Sequence, residues 1–421
     1  MRSRRVSARS PLVHGELGVS APVFRKGLNL KHVVADALAE DYHSQFVDQI
    51  KAAGFRYTKS RLVVHLAKEF GFCYGVDRAV DYAYQTREKF PDRRVLLTGE
   101  IIHNPQVNHR LREAGVGFLS DPGYSIDQVE SSDVVILPAF GVTIEDLAEL
   151  DRRGCTLVDT TCGSVLNVWK NVRRYTESGF TALIHGKIHH EETRATASQS
   201  LTTPGGRYLV ILNRDEAQLV CDFIRDRLSP EEFTASLGSA CSTGFDPLRD
   251  LQRVGLANQT TMLMSESLEI GDMVKVAMAD RYGSETLDSH YRAFETICSA
   301  TQDRQDAVQI LLGSQSFDLA VVIGGYNSSN TRNLARMCSE QVPTFHIAEA
   351  ACLVSADEIL HRPSAAHPAP SSDGASTQVT SRDWFPKSGT VTVAVTAGAS
   401  TPDSIVGDVI SRLAVCAENP A

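Results

Sequence analysis

Apolar residues fall along the chain in short β-branched runs: RLVVHLA, RVLLTGE, DVVILPAF, TLVDTT, TALIHG, RYLVILN, LAVVIGG and VTVAVTAG. Each has the length of a strand, and segments of helical period such as DRAVDYAYQTREKF alternate with them. That alternation predicts α/β layers built on parallel strands. A loose internal repeat is laid over it. RLVVHLAKEFGFCYGVDRAV, TLVDTTCGSVLNVWKNV and ETICSATQDRQDAV each place a cysteine after an extended segment and at the mouth of a helix.

Three similar α/β domains, each donating one thiol, would explain the repeat. Cys73, Cys162 and Cys298 are 89 and 136 residues apart, too wide for a local metal loop but natural at a three-domain junction. The expected boundaries are an arm and extension over 1–60 and domains over 61–160, 161–296 and 297–421. A Pro/Ser-rich stretch at about 361–388 reads as a surface insertion in the last domain. Residues 1–20 carry Arg and Ser with no acid before Glu16, so they read as a mobile arm, with an organelle transit peptide as the alternative.

Composition narrows the class. With 421 residues, 42% apolar and 22% charged, the chain is ordinary globular protein, too long for a single core. It has no apolar run of membrane-spanning length and no secretory core at its start, so an intracellular protein without a membrane partner is expected. A net charge of −9 argues against a nucleic-acid partner. Nine cysteines without a CxxC pair fit reduced thiols better than a disulfide framework or zinc ribbon.

A cysteine at a helix start meets free backbone N–H groups and the positive end of the dipole, which favour the thiolate that binds metal. Position therefore singles out Cys73, Cys162 and Cys298, whereas Cys221, Cys338, Cys352 and Cys416 lie within apolar helical patterns and read as core. Three thiolates suit an iron–sulfur cluster and would leave one metal open to a substrate oxygen. Gly/Ser/Thr turns at GGYNSSNTRNL, TAGASTPDSI and NQTTM can present N–H groups and hydroxyls to an oxyanion. His103 in GEIIHNP and His190 in HGKIHHEET add donors, and Glu192 beside a histidine could relay protons. The HHEE cluster lacks the HExxH spacing of a zinc site.

Taken together, GFCYGVDRAV, EIIHNPQVNHRL, PAFGV, VDTTC, HGKIHHEETRAT, NQTTM, TICSATQDRQDA, GGYNSSNT and TAGASTPD resemble the 4-hydroxy-3-methylbut-2-enyl diphosphate reductase family, also called IspH or LytB, from about Arg61 to Leu413. The resemblance implies a three-domain trefoil around a [4Fe–4S] cluster that performs the last step of the non-mevalonate isoprenoid pathway. It implies an external electron donor such as ferredoxin or flavodoxin. Carried over by motif, Cys73, Cys162 and Cys298 look like the cluster ligands and Glu192 like the proton donor. Thr260 resembles the residue that holds the substrate hydroxyl, and His103, His190, Ser328, Ser329, Asn330 and Ser400 resemble the diphosphate clamp.

Two departures stand out. PAFGV puts Phe140 where many bacterial members carry histidine, as in the plastid and cyanobacterial branch, and Lys187 is the candidate replacement donor. Gly163 and Ser164 replace a more usual proline-containing turn after Cys162. The competing readings are a non-redox hydro-lyase, which would need no reductant, and an iron–sulfur sensor, which would need neither Glu192 nor the anion turns.

Overall fold

The structure, a computed structural model, describes residues 21–294, 296–363 and 378–418; the arm at 1–20 and the middle of the 361–388 stretch lie outside them. Among the described residues no helix is long and apolar enough to cross a membrane. The β-branched runs form three main sheets. The first runs Val23–Phe24, Thr156–Asp159, Val134–Leu137, Val95–Leu97, Val116–Phe118, every pair parallel. The second runs Tyr291–Ala293, Val254–Asn258, Thr181–His185, Tyr208–Ile211, again all parallel. The third runs Thr344–Ile347, Leu319–Ile323, Val391–Ala397, Leu62–Leu66, with Arg56–Lys59 added antiparallel at its edge.

The expected start of the first domain at residue 61 does not match this pairing. Leu62–Leu66 lies beside Val391–Ala397 in the third sheet, with Leu62 opposite Val391 and Leu66 opposite Val395. Both strands bury residues on both faces, as interior strands of a parallel sheet do, and the neighbouring strands supply that setting. Residues before 61 are likewise built in. Lys31–Tyr42 packs on the helix Tyr74–Lys89, and Val47 and Ile50 of Gln45–Ala52 are buried in the third sheet's core. The ends of the 361–388 stretch are not surface linker either: Glu358–His361 pairs antiparallel with Val379–Arg382, and Trp384 and Phe385 are buried against Phe345 and Ile359.

The cysteine repeat marks where the chain passes from one sheet to the next. After Leu62–Leu66 of the third sheet, Cys73 caps Tyr74–Lys89, whose Val76, Ala79 and Val80 pack on the first sheet. After Thr156–Asp159 of the first sheet, Cys162 caps Gly163–Glu177, whose Val168, Val172 and Tyr175 pack on the second. After Tyr291–Ala293 of the second sheet, Cys298 caps Ser299–Ser314, whose Val308 and Leu312 pack on the third. The three crossovers close a ring.

The ring is pinned by equivalent hydrogen bonds. Cys73 N–H donates to Ala399 O at 3.2 Å, Cys162 N–H to Ala139 O at 3.0 Å and Cys298 N–H to Thr260 O at 3.2 Å. Each acceptor lies in the turn that follows the neighbouring strand of the same sheet. Three sheet ends therefore present their turns, in the same way, to one central space.

Candidate active site

Cys73, Cys162 and Cys298 line one cavity at that centre, together with His103, Phe140, His190, Glu192, Thr260, Ser328, Ser329, Asn330 and Ser400. Every residue expected in the site lies on this wall except Lys187. The helix starts bring the sulfurs together. A Cβ placed on Gly75 would sit 2.6 Å from Cys162 Sγ and 3.9 Å from Cys73 Sγ, so the backbone approaches two thiols at a point where only glycine leaves room. Cys298 Sγ accepts from Thr301 N–H at 3.3 Å and lies 3.0 Å from Thr301 Oγ1. All nine cysteines are free thiols.

At Cys162 and Cys298 burial works against the helix-start geometry that favours a thiolate. Burial pushes Cys298 up to about 11 against the pull of its two Thr301 hydrogen bonds, and raises Cys162 against donors from Ser164 and Val165. Desolvation outweighs the capping geometry here. A bound cation is what would hold these sulfurs ionised. The Gly163–Ser164 departure leaves the thiol in place, since Gly163 opens the helix with nothing crowding it and Ser164 joins the cavity wall.

Glu192 is 1% exposed. Its Oε1 accepts from Thr260 N–H at 2.6 Å and its Oε2 from Thr260 Oγ1 at 3.0 Å. Burial pushes the carboxyl up to about 7, although both Thr260 bonds pull the other way. Glu191, its neighbour in sequence, points instead toward His103 Nε2, 3.5 Å away.

The two histidines have their tautomers set by their neighbours. His190 Nδ1 accepts from Glu192 N–H at 3.2 Å, so the proton of the neutral ring is on Nε2, which lies 3.1 Å from His103 Nε2. His103 then carries its proton on Nδ1, 2.8 Å from Glu100 Oε2. Burial, followed by His103 and Lys187, holds His190 well below the usual imidazole range, so it stays neutral. With Glu191 the two rings bring ligand atoms within 4.8 Å of one another, a spacing at which this group could hold a metal ion. Phe140 stacks on His103 at 4.3 Å and meets His190 edge-on at 5.5 Å, filling the missing imidazole's place with a ring that donates nothing.

Oxyanion donors gather at the start of the helix Ser329–Ser339. Ser328 caps it, and Asn330 accepts from Ala399 N–H through Oδ1 while its buried Nδ2 has no partner. A buried amide donor without an acceptor is a cost that a ligand oxygen would remove. Ser329 Oγ is reached by Lys187 Nζ at 2.7 Å and by Gln259 Nε2 at 3.2 Å. Lys187 thus acts on the cavity from behind Ser329. Burial, reinforced by Arg332 and Arg362, brings its ammonium down to about 7.

Sequence reasoning missed Glu100, Asn327, Gln259 and Gly75. Asn327 Nδ2 donates to the same Glu100 oxygen at 2.8 Å, and Gln259 Oε1 accepts from Lys187 N–H and Thr193 Oγ1 at 3.1 Å each. Gln259 and Asn327 sit inside the quoted NQTTM and GGYNSSNT motifs, and a glycine in a helix two residues after a cysteine was itself a signal of close approach.

A family model described as LytB protein matches residues 64–414. A 4-hydroxy-3-methylbut-2-enyl diphosphate reductase of Synechococcus is 44% identical over 92% of this chain and 94% of its own length. One from Gloeobacter violaceus is 46% identical over 93% and 91%. A solved Plasmodium falciparum E-1-hydroxy-2-methyl-but-2-enyl-4-diphosphate reductase superposes with a TM-score of 0.59 at 20% identity, covering 83% of this chain and 86% of that one, which supports the fold. By the extent of the family match and the identity of these relatives, the chain belongs to the LytB protein family.

Proposed function

We propose that this protein is a 4-hydroxy-3-methylbut-2-enyl diphosphate reductase, which removes the hydroxyl of its allylic substrate as water with two electrons and two protons, giving isopentenyl and dimethylallyl diphosphates. The observation that carries this reading is the convergence of three helix-capping thiols, a near-neutral carboxyl and an unpaired amide donor on one cavity. The residues fit a [4Fe–4S] cluster held by Cys73, Cys162 and Cys298: each thiol caps a different helix, and Gly75 is bare where a Cβ would crowd Cys162 Sγ. When bound, such a cluster supplies single electrons and, with three protein ligands, an open iron that acts as a Lewis acid.

The chain's own residues do the rest. Ser328, Ser329, Asn330 and Ser400 offer hydroxyls, an amide and a helix N-terminus to the diphosphate, with Lys187 charging Ser329 from outside. Thr260 Oγ1 donates to Glu192 and keeps lone pairs for the substrate hydroxyl. Glu192, protonated below about pH 7, holds the proton that leaves with the hydroxyl as water. His190, kept neutral by burial, adds no charge that would compete for that proton.

Electrons would come from an external carrier such as ferredoxin or flavodoxin, and the compartment is read as cytoplasm, or plastid should residues 1–20 be a transit segment. The test is anaerobic. Cluster-loaded protein with a low-potential reductant should convert the allylic hydroxy diphosphate into both products, and no turnover in a fully loaded sample rejects the function. Product formed without reductant would favour the hydro-lyase instead.

A further inference from the structure

The His103–His190 pair has a second side. Facing away from the thiols, the same two rings line a separate hollow of about 520 Å³. Its wall is of two kinds. Lys187 and Arg332 bring positive charge, and Ile188, Val210 and Leu212 bring hydrocarbon.

The charge there is unmet. Among the described residues Arg332 and Arg362 make no side-chain hydrogen bond and no ion pair, and the one bond of Lys187 Nζ goes to the neutral Ser329 Oγ. Two carboxylates, Glu216 and Glu191, also line the hollow, but neither forms an ion pair with Lys187 or Arg332; Glu216 Oε2 accepts from Leu212 N–H at 2.6 Å and Glu191 Oε2 lies 3.5 Å from His103 Nε2. The three cations also act on one another. Arg332 and Arg362 both depress Lys187, Arg332 depresses Arg362, and burial lowers both arginines. Arg332, half-buried on this wall beside Lys187 and without an ion pair among the described residues, gains from an anion placed next to it.

We propose that this outer hollow is a second binding site for a prenyl diphosphate, with Lys187 and Arg332 taking the phosphates, Arg362 reinforcing their charge, and Ile188, Val210 and Leu212 receiving the hydrocarbon. The volume suits a five-carbon chain with its diphosphate. The choice of a prenyl chain rests on the reductase reading; the anion site does not. A ligand held there is one histidine wall away from the thiol cavity, where an incoming substrate or a departing product could wait.

Calorimetric titration of the cluster-loaded protein without reductant tests this. Isopentenyl diphosphate should bind at two sites per chain, and the double change Arg332→Gln, Arg362→Gln should weaken one of them at least about tenfold while sparing the other. A single site that the double change removes keeps the outer site and tells against the diphosphate cavity. A single site that it leaves intact, or two sites of unaltered affinity, overturns the proposal. The wild-type count is informative even if the double variant misfolds, and Leu212→Trp then blocks the hollow without touching charge, so two intact sites in it are equally fatal. Inorganic diphosphate should bind the outer site more weakly than isopentenyl diphosphate; equal affinity overturns the prenyl assignment. Parallel titration with the hydroxylated substrate separates the two sources, since the tighter ligand is the one the site serves.

Discussion

Glu192 is a carboxyl denied the water it would need to ionise at its usual pH, and its kinetic signature follows from that. Held near 7 by burial, it is a proton donor below that pH and a spectator above it. Turnover should therefore fall as pH rises through about 7, in a profile that Glu192→Gln abolishes. Glu192→Gln itself should cut kcat by about a hundred- to ten-thousandfold with iron and sulfide content unchanged. The linkage has a matching sign: because the folded chain binds this proton more tightly than the unfolded one, the thermal midpoint of the wild type should drop relative to Glu192→Gln as pH climbs from 4.5 toward 7. Lys187 behaves differently. Its charge reaches the cavity only through Ser329, so Lys187→Met should raise KM by roughly ten- to a hundredfold and leave kcat near the wild-type value. An unchanged KM would remove Lys187 from the diphosphate clamp.

At the level of elements, the site is a set of helix beginnings, and Gly75 shows how tightly they are fitted. Alanine is ordinarily favoured over glycine within a helix by about 0.5–1 kcal/mol, so Gly75→Ala on the Tyr74–Lys89 helix would be expected to help. Here the added methyl would meet Cys162 Sγ. Gly75→Ala should thus lower iron and sulfide per chain after reconstitution while far-ultraviolet dichroism stays that of the wild type; full loading would show that the helices can part.

Much of this level could be read from residues. The three strand–Cys–helix segments and the serine and threonine turns lie where their local patterns put them, because capping and turn chemistry are decided within a few residues. What could not be read was partnership. Nothing within Leu62–Leu66 tells it to pair with Val391–Ala397, since parallel pairing of remote strands leaves no local mark. Trp384 and Phe385 were hidden by the Pro/Ser-rich residues before them, and the rise of Cys298 could not be foreseen because burial depends on all three sheets at once.

For the whole molecule, a ligand seated where three sheets meet is also a fastener. Arg304, on the helix that Cys298 caps, is buried and donates to Gly71 O at 2.8 Å, and His103–His190 and Lys187–Ser329 also link elements across the cavity-lined centre. A group binding all three thiols joins the sheets directly and stabilises only the assembled chain. Stripping it by chelation or air should lower the thermal midpoint by several degrees and raise amide exchange first at the starts of the three thiol-bearing helices. The placement of Leu62–Leu66 beside Val391–Ala397 carries a last consequence, for biosynthesis. The first and second sheets can form as the ribosome delivers them, but an early strand of the third must wait for one of the last segments to emerge. Cys73 waits with it, because the carbonyl that holds its amide belongs to Ala399. The site can therefore accept its metal only after translation is essentially complete, and a nascent chain arrested before residue 391 should take up no stable cluster however much iron and sulfide is supplied.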